Sequence, residues 1–422
     1  MARVLLIGNG AREHAIAKRL VESGASLYAI MDKKNPGIAK LSEKYYLADY
    51  NNFQELKRIL HDIKIDFAVI GPEKPLSHGI VDFLEDEMQI SSIGPRKEVA
   101  KIETSKIFAR NLLQNVIPSA NPKFKICKNE KDILEFLSLY KDIAVKPDGL
   151  TGGKGVKLSG EHLKTKEDII SYAMNLIEKD GIVLLEQKLT GKEFTLQAFV
   201  DGKNIKVMPI VQDFKRAYDN DEGPNTGSMG SYSCHNHMLP FLTDEIISKA
   251  IIVLQKTIEE IYKKTNILYK GILYGQFMFS ENNVYVIEYN VRFGDPEAIN
   301  VLELLETNFI TICNQIIKGS LKDIFFTNDA TTCVYLVPKG YPSKPLADEE
   351  ILIESETYPN GLYFASVNEE NGIIKTSTSR AIAIVEKGKS VNEAREKVYS
   401  QLSKGIIKGN FHYRTDIAKN VN

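Results

Sequence analysis

The stretch Val284–Phe293 carries the residues best suited to chemistry, because its polar and apolar side chains alternate as they do in a β-strand. Glu288, Asn290 and Arg292 then project from one face. The opposite face is apolar and consists of Ile287, Tyr289, Val291 and Phe293. Mg²⁺ prefers oxygen ligands, so the carboxylate and amide suit an ATP-bound metal, and the guanidinium would neutralise a transferring phosphoryl group. The alternative interpretation is a half-solvated strand with a polar outer face.

A glycine-rich run with one lysine, Gly149–Gly155, follows a predicted strand at Ile143–Pro147. Backbone of this kind can bend over phosphates while the ammonium group adds positive charge. The run is not a Walker A loop, because Asp148 stands where that motif has glycine and Gly155 where it has Ser or Thr. A strand, Val156–Leu158, follows instead of a helix. This order favours a mobile hairpin flap that closes over a nucleotide, and a plain glycine turn is the alternative.

A further candidate for phosphate binding, Gly8–His14, follows a predicted strand and opens a predicted helix. Backbone N–H groups at a helix N-terminus attract anions, and Arg12 could hold one. The dinucleotide fingerprint G-x-G-x-x-G is incomplete, because Glu13 replaces its third glycine, so the signal for NAD is weak. The alternative is a tight strand–helix turn with a solvated Arg12 and His14.

A long loop punctuated by glycines runs from Asp213 to Gly230. Loops of this length inside compact domains are usually functional or disordered. Its basic pair, Lys215–Arg216, and its exposed amides could bind an anionic substrate, and a flexible connector is the alternative. Glu186 and Glu193, at the end of one predicted strand and the start of the next, could meet the base edge and ribose hydroxyls of a nucleotide.

Regular elements must position these candidates. In roughly the first hundred residues, short β-rich runs alternate with amphipathic stretches, a pattern typical of a parallel sheet with crossover helices. We place a domain boundary at the Gly94-Pro95 break, after which Lys97–Gln114 is predicted to form one helix. Strands joined directly by a turn are antiparallel neighbours, as predicted for the strands on either side of the glycine run. Further along, the sequence predicts a helix over Asp244–Lys264, a hairpin turning at Glu281-Asn282-Asn283 and a strand-rich tail.

Composition excludes several classes of protein. The chain has 422 residues, 54 Lys plus Arg and 55 Asp plus Glu, a formal net charge of −1, which argues against general nucleic-acid binding. Its length suffices for several domains, and no apolar stretch approaches the roughly 20 residues that span a bilayer. The four cysteines are scattered, and the most metal-like cluster, Cys234-His235-Asn236-His237, matches no usual ligand spacing. We therefore expect a folded cytoplasmic protein without a signal peptide or membrane anchor.

Together the motifs resemble the phosphoribosylamine–glycine ligase family, also called glycinamide ribonucleotide synthetase, of the ATP-grasp superfamily. The matching blocks, in order along the chain, are Gly8–His14, Gly71-Pro72-Glu73 with Pro75-Leu76, Ser105-Lys106, Lys146–Val156, Gly223–Gly230 and Val286–Glu297. The resemblance implies an α/β and α+β multidomain fold. Its parts would be a Rossmann-like pre-ATP-grasp N-terminal domain (1–103), an ATP-grasp domain (104–320) with a small lid subdomain (about 122–192), and a barrel-like C-terminal domain (328–422).

The resemblance also implies ATP-dependent ligation of glycine to 5-phosphoribosylamine through glycyl phosphate, the second step of de novo purine biosynthesis. Mg²⁺ or Mn²⁺ would be bound by Glu288 and Asn290. The positions implied for ATP are Lys106, Lys146, Gly152, Gly153, Lys154, Gly155, Val156, Glu186, Gln187, Leu189 and Glu193. Those implied for the other substrates are Gly8, Asn9, Gly10, Arg12, Glu13, Asp213, Lys215, Arg216, Asn225, Thr226, Gly227, Arg292, Gly294, Asp295 and Pro296. The implied catalytic residues are Arg292, Lys154 and Asp295.

Three other functions make different predictions. An ATP-grasp carboxylase acting on an aminoimidazole nucleotide would accept bicarbonate and should lack the Gly223–Gly230 block. A non-catalytic nucleotide sensor should have lost the pair Glu288 and Asn290, which is present. A nicotinamide-dependent oxidoreductase is disfavoured by Glu13. The ligase interpretation implies small-molecule substrates as the only partners, no nucleic acid, no membrane and a monomeric chain.

Overall fold

The computed structural model describes residues 1–150, 155–354 and 359–421. The N-terminal part alternates strands with helices: β1 (Ala2–Ile7), α1 (Ala11–Glu22), β2 (Ala25–Met31), α2 (Pro36–Leu41), β3 (Lys44–Leu47), α3 (Phe53–Leu60), β4 (Phe67–Ile70), α4 (Glu73–His78), α5 (Ile80–Asp86) and β5 (Ser91–Ile93). The strands form one parallel sheet in the order β3-β2-β1-β4-β5, so the predicted parallel sheet is confirmed. Helices cover such a sheet, which is why β2 and β4 are buried along their whole length.

Two helices, α6 (Lys97–Thr104) and α7 (Lys106–Val116), follow in place of the single helix predicted over Lys97–Gln114. That prediction was wrong because Ser105 takes an extended backbone conformation and caps α7, its Oγ accepting the Phe108 N–H at 3.1 Å. The same Oγ donates to Asp148 Oδ2 at 3.0 Å. The break therefore attaches the start of α7 to the segment that precedes the glycine run.

A small unit with its own hydrophobic core comes next, and we call it the lid unit. Its elements are β6 (Phe124–Cys127), α8 (Glu130–Leu139), β7 (Ile143–Lys146), β8 (Lys157–Leu158), α9 (Lys166–Asp180) and β9 (Val183–Gln187). The sheet order is β6-β9-β7-β8, and β7 pairs antiparallel with β8, as the sequence predicts for strands on either side of the glycine run. The next strand along the chain after β9 belongs to a different sheet, although only a short turn joins the two strands.

The central part is built around a long antiparallel sheet. Its elements are β10 (Lys192–Asp201), β11 (Ile205–Val207), β12 (Gln212–Asp213), β13 (Arg216–Tyr218), β14 (Glu222–Asn225), β15 (Gly230–Ser233), α10 (Asp244–Thr265), β16 (Lys270–Ser280), β17 (Asn283–Asn290), α11 (Glu297–Leu304) and α12 (Phe309–Lys318). The sheet order is β11-β10-β16-β17. The predicted helix at Asp244–Lys264 and the hairpin are both confirmed, with Glu281 and Asn282 in the left-handed region at its turn.

The C-terminal part shares a sheet with the central part. Its elements are β18 (Ala330–Pro338), β19 (Glu350–Ile353), β20 (Leu362–Phe364), β21 (Val367–Glu370), β22 (Ile373–Thr376), β23 (Ile382–Gly388), α13 (Val391–Ser403), β24 (Ile407–Lys408) and β25 (Phe411–His412). One sheet runs β12-β15-β18-β23-β20 and a second runs β21-β22-β19-β24. The predicted long loop from Asp213 to Gly230 thus contains the β13–β14 hairpin and is flanked by strands of the shared sheet.

The cysteines are unpaired and buried. In the ranges that the structure describes, which include Cys234–His237, no cluster of three or more His, Cys, Asp or Glu side chains could hold a metal ion. Over the same ranges, every helix is too short or too polar to span a bilayer.

His14 joins the first and last parts of the chain. Its Nδ1 accepts the N–H of Phe364 at 3.0 Å, and its ring lies edge-on to Tyr363 at a centroid distance of 5.2 Å. Burial, with a smaller effect of Lys18, lowers the pKa of His14 to about 3. The sequence-based alternative of a solvated Arg12 and His14 is therefore wrong, because both side chains are buried.

We expect His14 to make stability depend on pH. An unfolded histidine binds a proton below pH 6.5, whereas folded His14 resists it until about pH 3, so this stabilisation is complete above pH 6.5 and is lost as the pH falls. Relative to His14→Gln, the wild type should lose about 2 kcal/mol of unfolding free energy between pH 7 and pH 5 in urea titrations. His61→Gln, at a side chain that is 77% exposed, is the control and should leave the pH dependence unchanged.

Candidate active site

The face of the central sheet that bears Glu288 and Asn290 is defined by strand register. Glu288 lies opposite Gln276, and Asn290 lies opposite Tyr274. Thr195 of β10 lies on the other side of Gln276. These side chains therefore share one face, as alternation along β17 predicts.

A bulge in β17 corrects one detail of the predicted faces. Gln276 pairs with Glu288 but Phe277 pairs with Val286, so Ile287 is the extra residue. The buried face accordingly includes Val286 ahead of the bulge, and Ile287 is only half-buried instead of packing beside Tyr289. The bulge leaves the carbonyl groups of Val286 and Ile287 free to bind a side chain.

Arg110 of α7 binds those carbonyl groups. Its Nη1 donates to Val286 O at 2.9 Å and its Nη2 to Ile287 O at 2.7 Å. Its Nε and Nη2 also donate to the two carboxylate oxygens of Glu186, at 2.6 and 3.0 Å. Because Glu186 lies on β9, Arg110 is the point where the lid unit meets the central sheet.

Glu186 forms ion pairs with two cations. Its Oε2 lies 2.7 Å from Lys146 Nζ, in addition to its Arg110 contacts. Burial alone would raise the pKa of Glu186, but Arg110 and Lys146 lower it to about 2. Both oxygens accept charged donors, and the assignment of Glu186 to a base edge or ribose stays a prediction. The Glu186 carboxylate fixes the Lys146 ammonium at the end of β7.

Glu193 of β10, a further polar residue of this region, connects β10 to the segment before β13. Glu193 Oε2 lies 2.5 Å from Lys215 Nζ and accepts Gln276 Nε2–H at 2.9 Å. Gln276 Oε1 accepts the Thr195 hydroxyl at 3.0 Å, so the amide is bound on both sides by protein. Burial alone would lower the pKa of Lys215, but Asp213 and Glu193 raise it well above its ordinary value. Burial and the negative charge of Glu193 raise the pKa of Asp213.

Two arginines and two carboxylates meet where β17 ends. Arg292 Nη2 donates to Asn290 Oδ1 at 3.3 Å and lies 3.1 Å from Glu103 Oε1. Its Nε lies 3.2 Å from Glu73 Oε2, which is 3.9 Å from Arg12 Nη2. Burial alone would raise the pKa of Glu73, but Arg292 and Arg12 lower it to about 2. Burial raises the pKa of Glu103 to about 7, against the opposing effect of Arg292.

The Gly8–His14 turn is closed by its own glutamate. Glu13 Oε2 accepts the Gly10 N–H at 2.6 Å, and Glu13 Oε1 accepts Arg12 Nε–H at 2.6 Å. A Cβ at Gly8 or Gly71 would lie within 3 Å of the Glu13 side chain, so the two glycines make room for this cap. The Gly10 N–H is one of the backbone amides expected to bind phosphate, and it is therefore already hydrogen-bonded to Glu13. Asn9 at the same turn offers its carbonyl to Asn35 Nδ2 at 2.9 Å.

Lys106, the first residue of α7, lies beside the start of the glycine run. Its Nζ donates to Gly149 O at 2.6 Å. Burial lowers the pKa of Lys106, and the negative charge of Glu288 partly offsets this effect. Gly155 and Val156 are half-buried at the far end of the run, where Gly155 O accepts the Tyr172 hydroxyl at 2.8 Å. Three predicted ATP-binding residues, Gly152, Gly153 and Lys154, lie outside the described residues.

The remaining predicted residues fall on segments that border the same region. Gln187 ends β9, and Leu189 follows it, both half-buried. Arg216 and Asn225 pair across the β13–β14 hairpin, and Thr226 Oγ1 donates to Lys215 O at 2.8 Å. Arg216 Nη2 also lies 2.6 Å from Glu161 Oε2 in the lid unit.

The turn Gly294-Asp295-Pro296 leads into α11, with Pro296 as its cap residue. Gln197 Oε1 accepts the Gly294 N–H at 2.8 Å. Asp295 faces the C-terminal part, where its carboxylate binds the Tyr335 hydroxyl and lies 3.1 Å from Arg380 Nη2. Asp295 is therefore anchored by residues from a separate stretch of the chain.

Sequence reasoning missed several residues of this region. Arg110 had a detectable signal, since it lies on the same helical face as the apolar Leu113, where a charged residue needs a partner. Glu73 stands in a quoted motif but was given no role. Glu103 lies in the last turn of α6 and Arg380 lies in a loop, and neither position has a local pattern that indicates its partners.

A small α/β unit that meets an antiparallel sheet, here through Glu186 and Arg110, is the arrangement of ATP-grasp proteins. The family profile described as phosphoribosylglycinamide synthetase, ATP-grasp (A) domain, matches residues 104–298. Profiles of the N domain and C domain of the same synthetase match residues 2–103 and 331–420. The chain belongs to the phosphoribosylglycinamide synthetase family.

Individual relatives agree over the full length. A phosphoribosylamine–glycine ligase of Pyrococcus furiosus is 45% identical over 99% of this chain and 94% of its own. One of Methanocaldococcus jannaschii is 45% identical over 99% of this chain and 96% of its own. The crystal structure of a phosphoribosylamine–glycine ligase from Thermotoga maritima superposes with a TM-score of 0.84 at 27% identity, covering 99% of this chain and 100% of that one.

Proposed function

We propose that this protein ligates glycine to 5-phosphoribosylamine at the expense of ATP, giving glycinamide ribonucleotide, ADP and phosphate. One observation carries the proposal: strand register sets Glu288 and Asn290 on the same face of the central sheet, with the Glu288 side chain exposed and the Arg292 guanidinium bonded to Asn290. The full-length similarity to ligases of that name supports the choice of substrates.

The donor set of this face fits a divalent cation that arrives with ATP. Glu288 is exposed, and among the described residues its carboxylate has no hydrogen-bond donor or cation in contact, while Asn290 contributes an amide oxygen. Mg²⁺ commonly takes one or two protein oxygens and completes its shell with waters and phosphates, and Mn²⁺ accepts similar oxygen ligands. Such an ion, when bound by Glu288 and Asn290, would offset the negative charge of the triphosphate.

Lys106 and Lys146 would hold ATP phosphates from the side of the lid unit. Both ammonium groups are positioned by protein oxygens, Gly149 O for Lys106 and the Glu186 carboxylate for Lys146. The glycine run, including Gly152–Lys154, would cover the phosphates. Gln187, Leu189 and Glu193 would contact the adenine and ribose of ATP. Fixed charges of this kind stabilise a phosphoryl group in transfer without having to reorganise.

The reaction needs two displacements. A glycine carboxylate oxygen attacks the γ-phosphorus of ATP, which breaks the bond to ADP and gives glycyl phosphate. The amine nitrogen of phosphoribosylamine then attacks the carbonyl carbon, phosphate leaves, and the nitrogen loses a proton. Arg292 would neutralise the phosphoryl oxygens in both steps, since Glu73 and Glu103 hold its guanidinium at the end of β17. Otherwise the protein binds, orients and excludes water.

Phosphoribosylamine would lie against the Asp213–Gly230 segment and the Gly294–Pro296 turn. Lys215 and Arg216 supply positive charge there, and Asn225–Gly227 supply backbone and amide groups. Arg12, held by Glu13 in the first turn of α1, would contribute a further cation. These groups suit a phosphorylated sugar, whose phosphate is bound by charge-assisted hydrogen bonds.

Coupling between the substrates tests the proposal. We expect phosphate release from ATP only when both glycine and phosphoribosylamine are present, the amine being supplied from ribose 5-phosphate and ammonia. Inorganic phosphate and glycinamide ribonucleotide should form in equal amounts. Full-rate phosphate release with glycine alone would contradict coupled ligation, and turnover that needs bicarbonate and an aminoimidazole nucleotide would identify a carboxylase instead.

A further inference from the structure

The Asp213–Gly230 segment, proposed to bind phosphoribosylamine, is attached to the C-terminal part by main-chain hydrogen bonds. Strand β15 pairs with β18, and Tyr335 N–H donates to Met229 O at 2.9 Å, directly after the Asn225–Ser228 stretch. Strand β18 also pairs antiparallel with β23, and just before β23 the Ala381 N–H donates to Leu336 O at 3.0 Å. This register sets Arg380, the residue before Ala381, close to both substrate segments.

Arg380 binds the two segments at the same time. Its Nη1 donates to the carbonyl oxygens of Gly227, Ser228 and Asp295, at 2.5, 3.1 and 3.0 Å. Its Nη2 lies 3.1 Å from Asp295 Oδ2, and its guanidinium lies over the Tyr335 ring, 4.3 Å from the centroid. Tyr335 in turn donates its hydroxyl to Asp295 Oδ1. The side chain is only 12% exposed, so the network is largely shielded from water.

The backbone at this point needs such support. Ser228 has φ of 86°, a left-handed conformation that is costly for a residue with a side chain. Gly227 lies so close to the guanidinium that a Cβ at this position would be only 3.3 Å from Arg380 Cζ. The guanidinium reaches the three carbonyl groups through Nη1 and the Asp295 carboxylate through Nη2, whereas a lysine ammonium has only one nitrogen from which to donate.

We infer that Arg380 is a positioning residue for the amine substrate, acting through the Gly227–Ser228 backbone and the Asp295 turn. The inference rests on the proposed function for the identity of that substrate. Arg380 touches neither Lys106, Lys146 nor the lid unit, so its effect falls on phosphoribosylamine and not on ATP. The C-terminal part thereby contributes to the site without touching the reacting atoms.

The test compares Arg380→Lys with Arg395→Lys. Arg395 is a matched control in the same part of the chain: its guanidinium lies 4.5 Å from the Tyr399 ring centroid and donates to two carbonyl groups, those of Thr415 and Ile417, away from both substrate segments. We expect Arg380→Lys to raise KM for phosphoribosylamine about 30-fold, in line with the cost of misplacing a substrate by an ångström or less. The Kd for ATP, measured by calorimetry, should change less than twofold, and Arg395→Lys should change neither value.

Hydrogen exchange gives a second measurement that needs no turnover. Amides of residues 225–230 should exchange about tenfold faster in Arg380→Lys than in the wild type or Arg395→Lys. An unchanged exchange rate, an unchanged KM for the amine, or an equal loss of ATP affinity would each overturn the inference. A wild-type enzyme that fails to ligate glycine would refute the proposed function, and exchange would then still decide whether Arg380 orders the segment.

Discussion

Replacing Glu288 with glutamine is expected to lower kcat by about 10³-fold, which corresponds to about 4 kcal/mol of transition-state stabilisation. The substitution keeps the shape of the side chain but removes the negative charge that the proposed cation site depends on. Glu288 is exposed, and in the described part of the chain no partner loses a contact, so the melting temperature should stay within about 2 °C of the wild type. Steady-state assays across a Mg²⁺ titration, with circular dichroism for the fold, measure both effects.

Glu281→Gln is the matched control for this variant. Glu281 is an exposed carboxylate at the tip of the same β16–β17 hairpin, outside the candidate site. It should retain the full kcat and the same Mg²⁺ dependence. If Glu288→Gln kept more than a third of the wild-type kcat, or if it lost its fold, the polar face of β17 would be a structural surface and not a metal site.

The polar face of β17 shows how far the sequence alone can lead. Alternation predicted that Glu288 and Asn290 share a face, and register confirms it, because a period of two is a local property of any strand. The bulge at Ile287 was not predictable, since it depends on the pairing of β17 with β16 and on Arg110, which binds the carbonyl groups that the bulge leaves free.

Charge pairing was less predictable than hydrophobic pattern. The sequence indicated that Glu186 is a candidate for nucleotide binding, but it did not indicate the ion pairs of its carboxylate with Arg110 and Lys146, which depend on three-dimensional packing. Glu13 is likewise a mismatch to the dinucleotide fingerprint in the sequence, whereas in the structure its carboxylate caps its own helix. The role of Arg380 could not be predicted, since the carbonyl groups that its side chain binds lie 85 or more residues away in the chain.

Arg110 should be the most stability-critical of these residues. Arg110→Met would leave the Glu186 carboxylate buried with only Lys146 for compensation, and would strip two carbonyl groups of their donors. Breaking a buried pair in this way costs about 3–5 kcal/mol, much of it the penalty of an uncompensated charge. Urea titration followed by circular dichroism should show the midpoint fall accordingly.

The ion pair on the surface at Arg96 provides the control. Arg96 is 31% exposed and contacts Asp86 and Glu85 near the end of α5. Arg96→Met removes the same charge and a similar number of carboxylate contacts, but water can replace them, so the loss should be below about 1 kcal/mol. The difference between the two variants measures burial and not charge as such.

A second substitution separates charge from packing at Arg110. Glu186→Gln in the Arg110→Met background removes the uncompensated carboxylate, so we expect it to restore about half of the lost stability. The double variant should bind ATP less tightly than the wild type, because Lys146 has lost the carboxylate that fixes its ammonium group. If the second substitution destabilised the protein further, Arg110 would act through the Val286 and Ile287 carbonyl groups alone, and the junction between the lid unit and the central sheet would depend on backbone contacts instead of the ion pair.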